Sequence, residues 1–398
     1  MSAGLAGHRV TTAGAGPADR RGTTGTGPAD RHRTTAGAVL AELRERARAV
    51  LDPAHYDYFA GGVGDEVVLG GNEAAFRRLA LLPRVLRGAP TRDLSVDLPG
   101  GRLAAPVLVA PTAFHRLAHP EGESATARAV AAARTVLVSG VASTVAIADV
   151  VAAARSVDPD AAVWFQLYPQ PDDEVTACLV RRAERAGCTA LVVTADSPVL
   201  GRHRRDAEHG FHDLPAGLAA ENMRDLPGAA PGALRDIAMS PAVSWAHLDR
   251  LRASTSLPLW LKGVLHPRDA VLAVEHGVSG VVVSNHGGRQ CDVVPAAVEA
   301  LPAVVDAVAG RVPVVLDGGV RCGGDVAVAL ALGAAAVGVG RPVLWGLAAA
   351  GEAGVARVLD VLRDEVDHLL ALCGGRDLAD LTRDQVVARS AGVCARCG

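Results

Sequence analysis

Lysine is almost missing from this chain: of the 40 Lys+Arg side chains only Lys262 is a lysine. Tyrosine is confined to Tyr56, Tyr58 and Tyr168, asparagine to Asn72, Asn222 and Asn285, and aromatic residues make up 3% of the 398 residues. A chain that avoids a residue type this strongly keeps it where the substitute fails. A planar guanidinium cannot replace a compact ammonium in a confined site, which singles out Lys262. Long apolar runs are absent as well. Hydrophobic residues reach 49%, yet no stretch of about 18 escapes a charge or a break, so no membrane-spanning helix is expected. The most apolar late stretch, residues 334–350, is interrupted by Arg341 and Pro342. A net charge of -3 leaves no basic footprint for nucleic acid. The 7 cysteines (Cys178, Cys188, Cys291, Cys322, Cys373, Cys394, Cys397) are odd in number and scattered, which suits reduced thiols and a cytoplasmic location. Cys394 and Cys397 form a CxxC without a second pair or a histidine partner, so no metal site is expected.

Residues 1–36 are rich in Gly, Ala and Thr, and Gly16-Pro17-Ala18-Asp19-Arg20 recurs as Gly27-Pro28-Ala29-Asp30-Arg31. This composition predicts a disordered tail, and it lacks the apolar core of a signal peptide. An ordered domain is expected over 37–390, with a frayed end at 391–398. Helical spacing of apolar residues opens it at 38–50. Short β-rich runs then end near Ala110, Ser139, Leu167, Thr194, Leu261, Val283, Leu316 and Val339. Helical patterns fall between them, as at 121–134, 172–186, 267–276 and 324–332. Eight alternating units predict an α/β fold, a (β/α)8 TIM barrel with a parallel core. A long pattern from 352 to 372 closes it, and a short helix is expected beyond Arg376. Residues 206–244, with several prolines and glycines and no clear period, predict a mobile lid after strand 4.

In such barrels the chemistry sits at the C-terminal ends of the strands. There the chain places Ala110-Pro111-Thr112, Ser139-Gly140, Gln166-Leu167-Tyr168, Thr194-Ala195-Asp196, Lys262-Gly263, Asp317-Gly318-Gly319-Val320-Arg321 and Gly340-Arg341. The last two runs are glycine-rich and arginine-bearing, which suits a phosphate: backbone N–H groups approach the oxygens and guanidinium groups neutralise them. The sixth strand, Val281-Val282-Val283, runs into Ser284-Asn285-His286-Gly287-Gly288-Arg289-Gln290. His286 can exchange a proton near neutral pH, and Arg289 offers a planar fork for a carboxylate. A glycine turn with a structural histidine is the plainer alternative.

The run SNHGGRQ resembles the active-site signature of the FMN-dependent 2-hydroxy acid oxidases and dehydrogenases, and the other strand ends resemble the matching segments of that family. The resemblance spans about residues 40 to 390. It implies FMN as cofactor, with the phosphate on Gly318, Gly319, Arg321, Gly340 and Arg341. Ala110, Pro111, Thr112, Ser139, Gln166, Thr194, Ser284 and Asp317 would complete the cofactor site. Lys262 would lie where negative charge develops on reduction. His286 would be the base, oriented by Asp196, and Tyr168 would bond the substrate hydroxyl. Tyr58, in a segment resembling the family's N-terminal tyrosine motif, would join Arg289 at the carboxylate; core packing is its bland alternative. Hydride transfer and Cα–H removal would use the same residues. A homotetramer is implied too, as is reoxidation by O2 or another electron acceptor.

Two departures bear on the substrate. Alignment puts His203 where the family has a second carboxylate-binding arginine. Arg202 or Arg204 could substitute through a shifted loop, the substrate could be held differently, or these residues could form a solvated charged loop. Gly140 stands near a position where small-substrate members carry a large aromatic, which leaves room for an aryl or extended group; a plain turn glycine is the alternative. The reading is therefore oxidation of a bulky or aromatic 2-hydroxy acid, with two rivals. One is a non-redox FMN or phosphate-ligand barrel, and the other is an FMN-binding homologue weakened at His203. Membrane-bound relatives have an apolar strand-4 loop. Here Arg204, Arg205, Asp206, Glu208, Arg224 and Asp225 argue against one.

Overall fold

The computed structural model describes residues 35–389. Residues 1–34 and 390–398, with the repeat and the terminal CxxC, lie outside the described residues; Ala36, expected to end the tail, is instead buried at the start of the Ala36–Val50 helix. Eight parallel strands close into a barrel: Val107–Val109, Leu137–Gly140, Val163–Leu167, Ala190–Thr194, Leu259–Val264, Gly280–Val283, Val314–Asp317 and Ala336–Val339. Each pairs with its sequence neighbour, and the eighth returns to the first at Val337 opposite Val107. Nearly every strand residue is buried on both faces, which is why the strands read as Val/Leu runs rather than alternating patterns. The (β/α)8 expectation is met, with strand ends within a few residues of those predicted.

The connecting helices follow local rules. Asp173–Ala186 starts on Asp172, whose side chain accepts from the Glu174 N–H, and stops at Gly187 in the left-handed conformation. Pro267–Glu275 starts with its proline in the first turn, where no N–H partner is needed. Val67–Arg77 has no side-chain cap of its own. Asp292, from the loop after the sixth strand, accepts from the Val68 and Asp65 N–H groups at 2.9 Å each and supplies the cap from outside.

The barrel is plugged at its N-terminal end. A hairpin, Val96–Leu98 with Gly101–Leu103, crosses that opening. The indoles of Trp164 and Trp260 stack at 4.9 Å and donate to the carbonyls of Gly100 and Pro99 at 3.0 Å each. Only the opposite mouth is left for a ligand.

Three segments differ in part from what was expected. Beyond Arg376 come two short 3-10 helical turns, Leu378–Asp380 and Arg383–Gln385, and then an unexpected strand, Val386–Ala388, antiparallel to Leu79–Leu81. Three residues have no measurable period, and the partner lies some 300 residues away in sequence, so nothing local announces the pairing. The closing helix over 352–372 lies where it was expected; a further helix over 341–349, not foreseen, precedes it across a break at Ala350–Gly351, where Gly351 has φ 58°. The strand-4 loop is not without structure. It contains a helix, Arg204–Glu208, and a tight turn, Glu221–Met223, and its midpoint is pinned. Asn222 is fully buried; its side-chain oxygen accepts from the Ile147 N–H at 2.9 Å, and its amide donates to the Gly140 carbonyl at 3.3 Å. Among the described residues no helix is long and apolar enough to cross a membrane, and no His/Cys/Asp/Glu cluster could hold a metal ion.

Candidate active site

A cavity of about 760 Å³ opens at the C-terminal mouth. Its wall includes Tyr58, Ala110, Pro111, Thr112, Gly140, Gln166, Tyr168, His203, Lys262, His286, Arg289, Asp317, Gly318, Gly319, Arg321, Gly340 and Arg341. Thus most of the residues singled out in the sequence meet in one space.

His286 leaves its buried strand in the left-handed conformation (φ 58°), and Gly287 and Gly288 follow at 60° and 75°. For a histidine this geometry costs of order 1–3 kcal/mol and recurs at functional sites. Its backbone N–H is held by the Ser284 hydroxyl at 3.0 Å. Its Nδ1 lies 2.9 Å from Asp196 Oδ1, so the Nδ1–H is donated and Nε2 keeps the lone pair. Burial pushes the Asp196 carboxyl up, but the nearby charges of His286 and Lys262, with hydrogen bonds from His286 and Ser197, outweigh it and bring it down to about 2. The approach depends on Gly263, at a register shift in the fifth strand. A Cβ at Gly263 would stand 2.5 Å from that of Asp196.

Arg289 donates both Nη1 protons to backbone carbonyls, Tyr58 at 2.7 Å and Gly61 at 3.1 Å. Its Nε–Nη2 edge has no protein acceptor among the described residues, the geometry of a carboxylate fork. The guanidinium also lies 5.0 Å over the Tyr58 ring. Burial, with the Asp206 charge behind it, raises the Tyr58 hydroxyl above its ordinary value against the pull of Arg289. Tyr168 is raised as well, by burial first and then by Asp196 and Tyr58, so it stays a phenol and a hydrogen-bond donor.

Lys262 is 3% exposed and donates to Ser284 at 3.0 Å, with Asp317 Oδ2 at 3.6 Å. Asp317 Oδ1 is buried without a partner, as is the Nε of Arg321. Arg321 otherwise pairs with Glu73 at 3.0 Å and donates to its neighbour's carbonyl. An orphan cationic donor beside Gly318 and Gly319, both at positive φ, fits a phosphate, and the orphan Asp317 oxygen fits a hydroxylated chain. The residues present therefore suit a flavin mononucleotide.

Several site expectations change. Arg341 is mainly a structural tie: it donates to the carbonyls of Phe59, Gly287 and Gly61, which leaves two N–H groups for a ligand. Ser139, Thr194, Ser284 and Asp196 lie behind the wall. Ser139 bonds Ser143, Thr194 takes the Gln166 amide at 3.0 Å, and Ser284 holds Lys262. Arg202 and Arg204 are exposed and outside the wall, so neither substitutes for His203. Gly140 does open a turn, its carbonyl accepting from the Ser143 N–H at 3.2 Å, although its φ is not positive; a Cβ there would come within 3.1 Å of Gln166 Oε1. The room it leaves is therefore shared with that side chain.

Other participants were not visible beforehand. His115, buried, sits 2.7 Å from the Thr112 hydroxyl and 2.9 Å from that of Thr126, and burial lowers its pKa so that it stays neutral. Phe114 and Phe211 line the cavity and pack on Tyr58 at 6.0 and 5.4 Å. Phe211 lies in the unpatterned loop, where nothing distinguishes a wall residue from a solvated one. The three scarce asparagines are all buried. Asn72 and Asn285 exchange reciprocal amide bonds at 2.9 and 2.8 Å, tying the Val67–Arg77 helix to the signature loop.

This fold and this wall define a class: a TIM barrel with a flavin-type phosphate end and a histidine–aspartate pair facing an arginine fork. The comparisons agree. The profile of the FMN-dependent dehydrogenases matches residues 47–388, and the chain belongs to that family, with FMN as its cofactor. It is 43% identical over 349 residues to a peroxisomal (S)-2-hydroxyacid oxidase of Arabidopsis thaliana, covering 87% of this chain and 95% of the relative. Against the glycolate oxidase of Spinacia oleracea identity is 43% over 350 residues, covering 86% and 93%. A solved structure of mandelate oxidase with benzoyl-formic acid superimposes with a TM-score of 0.79 at 42% identity, covering 88% of this chain and 98% of that one.

Proposed function

We propose that the protein oxidises a 2-hydroxy acid with a bulky apolar or aromatic side chain to the 2-oxo acid. The observation that carries this is the meeting, in one cavity, of His286, backed from behind the wall by Asp196, and the free edge of Arg289. Arg289 takes the carboxylate and fixes its plane. Nε2 of His286 accepts the hydroxyl proton, and ionised Asp196 favours the imidazolium that results. Tyr168, still a phenol, donates to the substrate oxygen. FMN, when bound, supplies the acceptor for the electron pair that leaves with the Cα hydrogen. Lys262 and Arg321 are the cations that would hold its negative charge.

The bulky side chain is inferred from the apolar part of the wall: Phe114, Phe211, Leu214, Leu218, Ile237 and Met239. Reoxidation by O2, which takes two electrons and two protons to give H2O2, belongs to the same proposal. So does a reducing compartment, since the described cysteines are free thiols.

Anaerobic mixing with glycolate, lactate, mandelate and 4-hydroxymandelate tests the reading, with His286→Ala as control. Mandelate-type acids should bleach the yellow band with the highest kcat/KM. His286→Ala should keep its FMN and slow bleaching by about 10²–10⁴-fold. No bleaching with any hydroxy acid would refute the reaction; faster turnover of glycolate would refute the bulky substrate.

A further inference from the structure

Behind the cavity wall, the start of the strand-4 loop is fastened to the Pro53–Ala60 helix. Arg205 donates from Nη1 to Asp57 Oδ1 at 3.0 Å and from Nη2 to Glu66. His209 Nε2 donates to the other Asp57 oxygen at 2.8 Å, and the second Glu66 oxygen accepts from the Gly62 N–H at 3.0 Å. Four side chains from three segments thus share one network, none more than 33% exposed. Burial pushes both carboxyls up, but the hydrogen bonds they accept outweigh it, from His209 and Arg205 at Asp57 and from Arg205 and Gly62 at Glu66. Both therefore stay ionised. A lone exposed pair contributes little, whereas one planar fork spanning two carboxylates fixes their geometry. The close approach is built into the backbone as well: a Cβ at Gly61 would stand 2.7 Å from the Asp57 carbonyl oxygen and 3.3 Å from Cδ of Arg205.

Two residues beyond His209 comes Phe211, its N–H bound to the Asp206 carbonyl at 2.8 Å. Its ring lines the cavity and packs on Tyr58 at 5.4 Å and on His55 at 5.6 Å, both from the helix that carries Asp57. We infer that Arg205 is a positioning residue that sets substrate specificity: by clamping residues 203–211 to this helix it seats Phe211 as one side of the compartment for the substrate's apolar group. The inference rests on the proposed hydroxy acid reaction, to which that compartment belongs. The reacting end is held by other means. Arg289 is tied to the Tyr58 and Gly61 carbonyls, and His286 to Asp196. Loosening the clamp should therefore weaken binding of a large side chain while sparing a small acid and the chemical step.

Arg205→Met in the holoenzyme keeps the apolar stem and removes the fork. Amide hydrogen exchange at Ala207, His209 and Phe211, whose N–H groups bond within the segment, should quicken, while that at Met223, beside the Asn222 anchor, stays level. In anaerobic stopped-flow, the Kd for mandelate should rise about tenfold, the loss of one well-seated aromatic contact, and that for glycolate less than about twofold. The limiting reduction rate should stay level for both acids. Arg205→Lys, whose ammonium reaches one carboxylate but cannot span two, should fall between Arg205→Met and wild type. Unchanged exchange, an equal loss for the two acids or a fall in the limiting rate overturns the role of Arg205. If no hydroxy acid reduces the wild-type flavin, the proposed function fails and the specificity role with it, and the exchange data still decide for or against the clamp.

Discussion

Arg289 and Arg341 converge on a single acceptor, the carbonyl oxygen of Gly61, at 3.1 and 2.6 Å. Gly61 ends the Pro53–Ala60 helix, whose last carbonyls have no partner within the helix and carry its negative end. Cations from the sixth and eighth strand ends thus tie this helix across the mouth, and Tyr58 with it. The arrangement is crowded: burial, and then the charges of Arg289 and Arg321, pull Arg341 down to about 9.

Arg289→Lys should raise KM for a hydroxy acid by about 10–100-fold, because a point ammonium cannot hold two helix-end carbonyls and a carboxylate at once. The limiting rate of flavin reduction should change far less. Equal losses in both, measured by stopped-flow, would mean that Arg289 acts in the chemical step instead.

Asp196 sets a pH signature. Its carboxyl is depressed in the folded protein to about 2. A depressed carboxyl stabilises the fold above its unfolded value of about 4, and that stabilisation is lost as pH falls through the folded value. The difference in unfolding free energy between wild type and Asp196→Asn should therefore shrink as pH falls below about pH 4. A difference that does not shrink there would show that the carboxyl is not depressed.

Asn222→Asp tests the loop anchor. Asn222 accepts from the Ile147 N–H on one side and donates to the Gly140 carbonyl on the other, which an aspartate cannot do. Leaving that buried carbonyl facing an acceptor should lower stability by about 1–3 kcal/mol in denaturant titration. An unchanged midpoint and slope would show that the loop is held elsewhere.

Much of this was legible beforehand, and for identifiable reasons. A parallel barrel strand is buried on both faces, so Val281-Val282-Val283 declares itself as a short apolar run, and the glycines after it mark the turn. The scarcity of lysine and asparagine was equally informative: Lys262, Asn72, Asn222 and Asn285 are all at most 3% exposed. Other features were out of reach. His115 meets Thr112, three residues back, because Phe114 between them takes the left-handed conformation, and Phe211 reaches the wall from a segment without period. Val386–Ala388 finds its partner at the other end of the domain.

By itself the sequence determined the barrel, the side of it that carries the chemistry and the set of groups gathered there, because strand and helix periods and the polar strand ends are local properties. Tertiary structure alone decided what those groups do to one another. Arg341 and Arg289 looked alike as free cations, yet one has three of its donors bound to backbone carbonyls and the other keeps an open edge. His203 looked like a replaced ligand, yet its Nε2 is taken up by the Arg289 backbone carbonyl at 2.9 Å. Hydrogen-bond capacity belongs to a residue type; which partners use it up depends on neighbours that only folding brings within 3 Å.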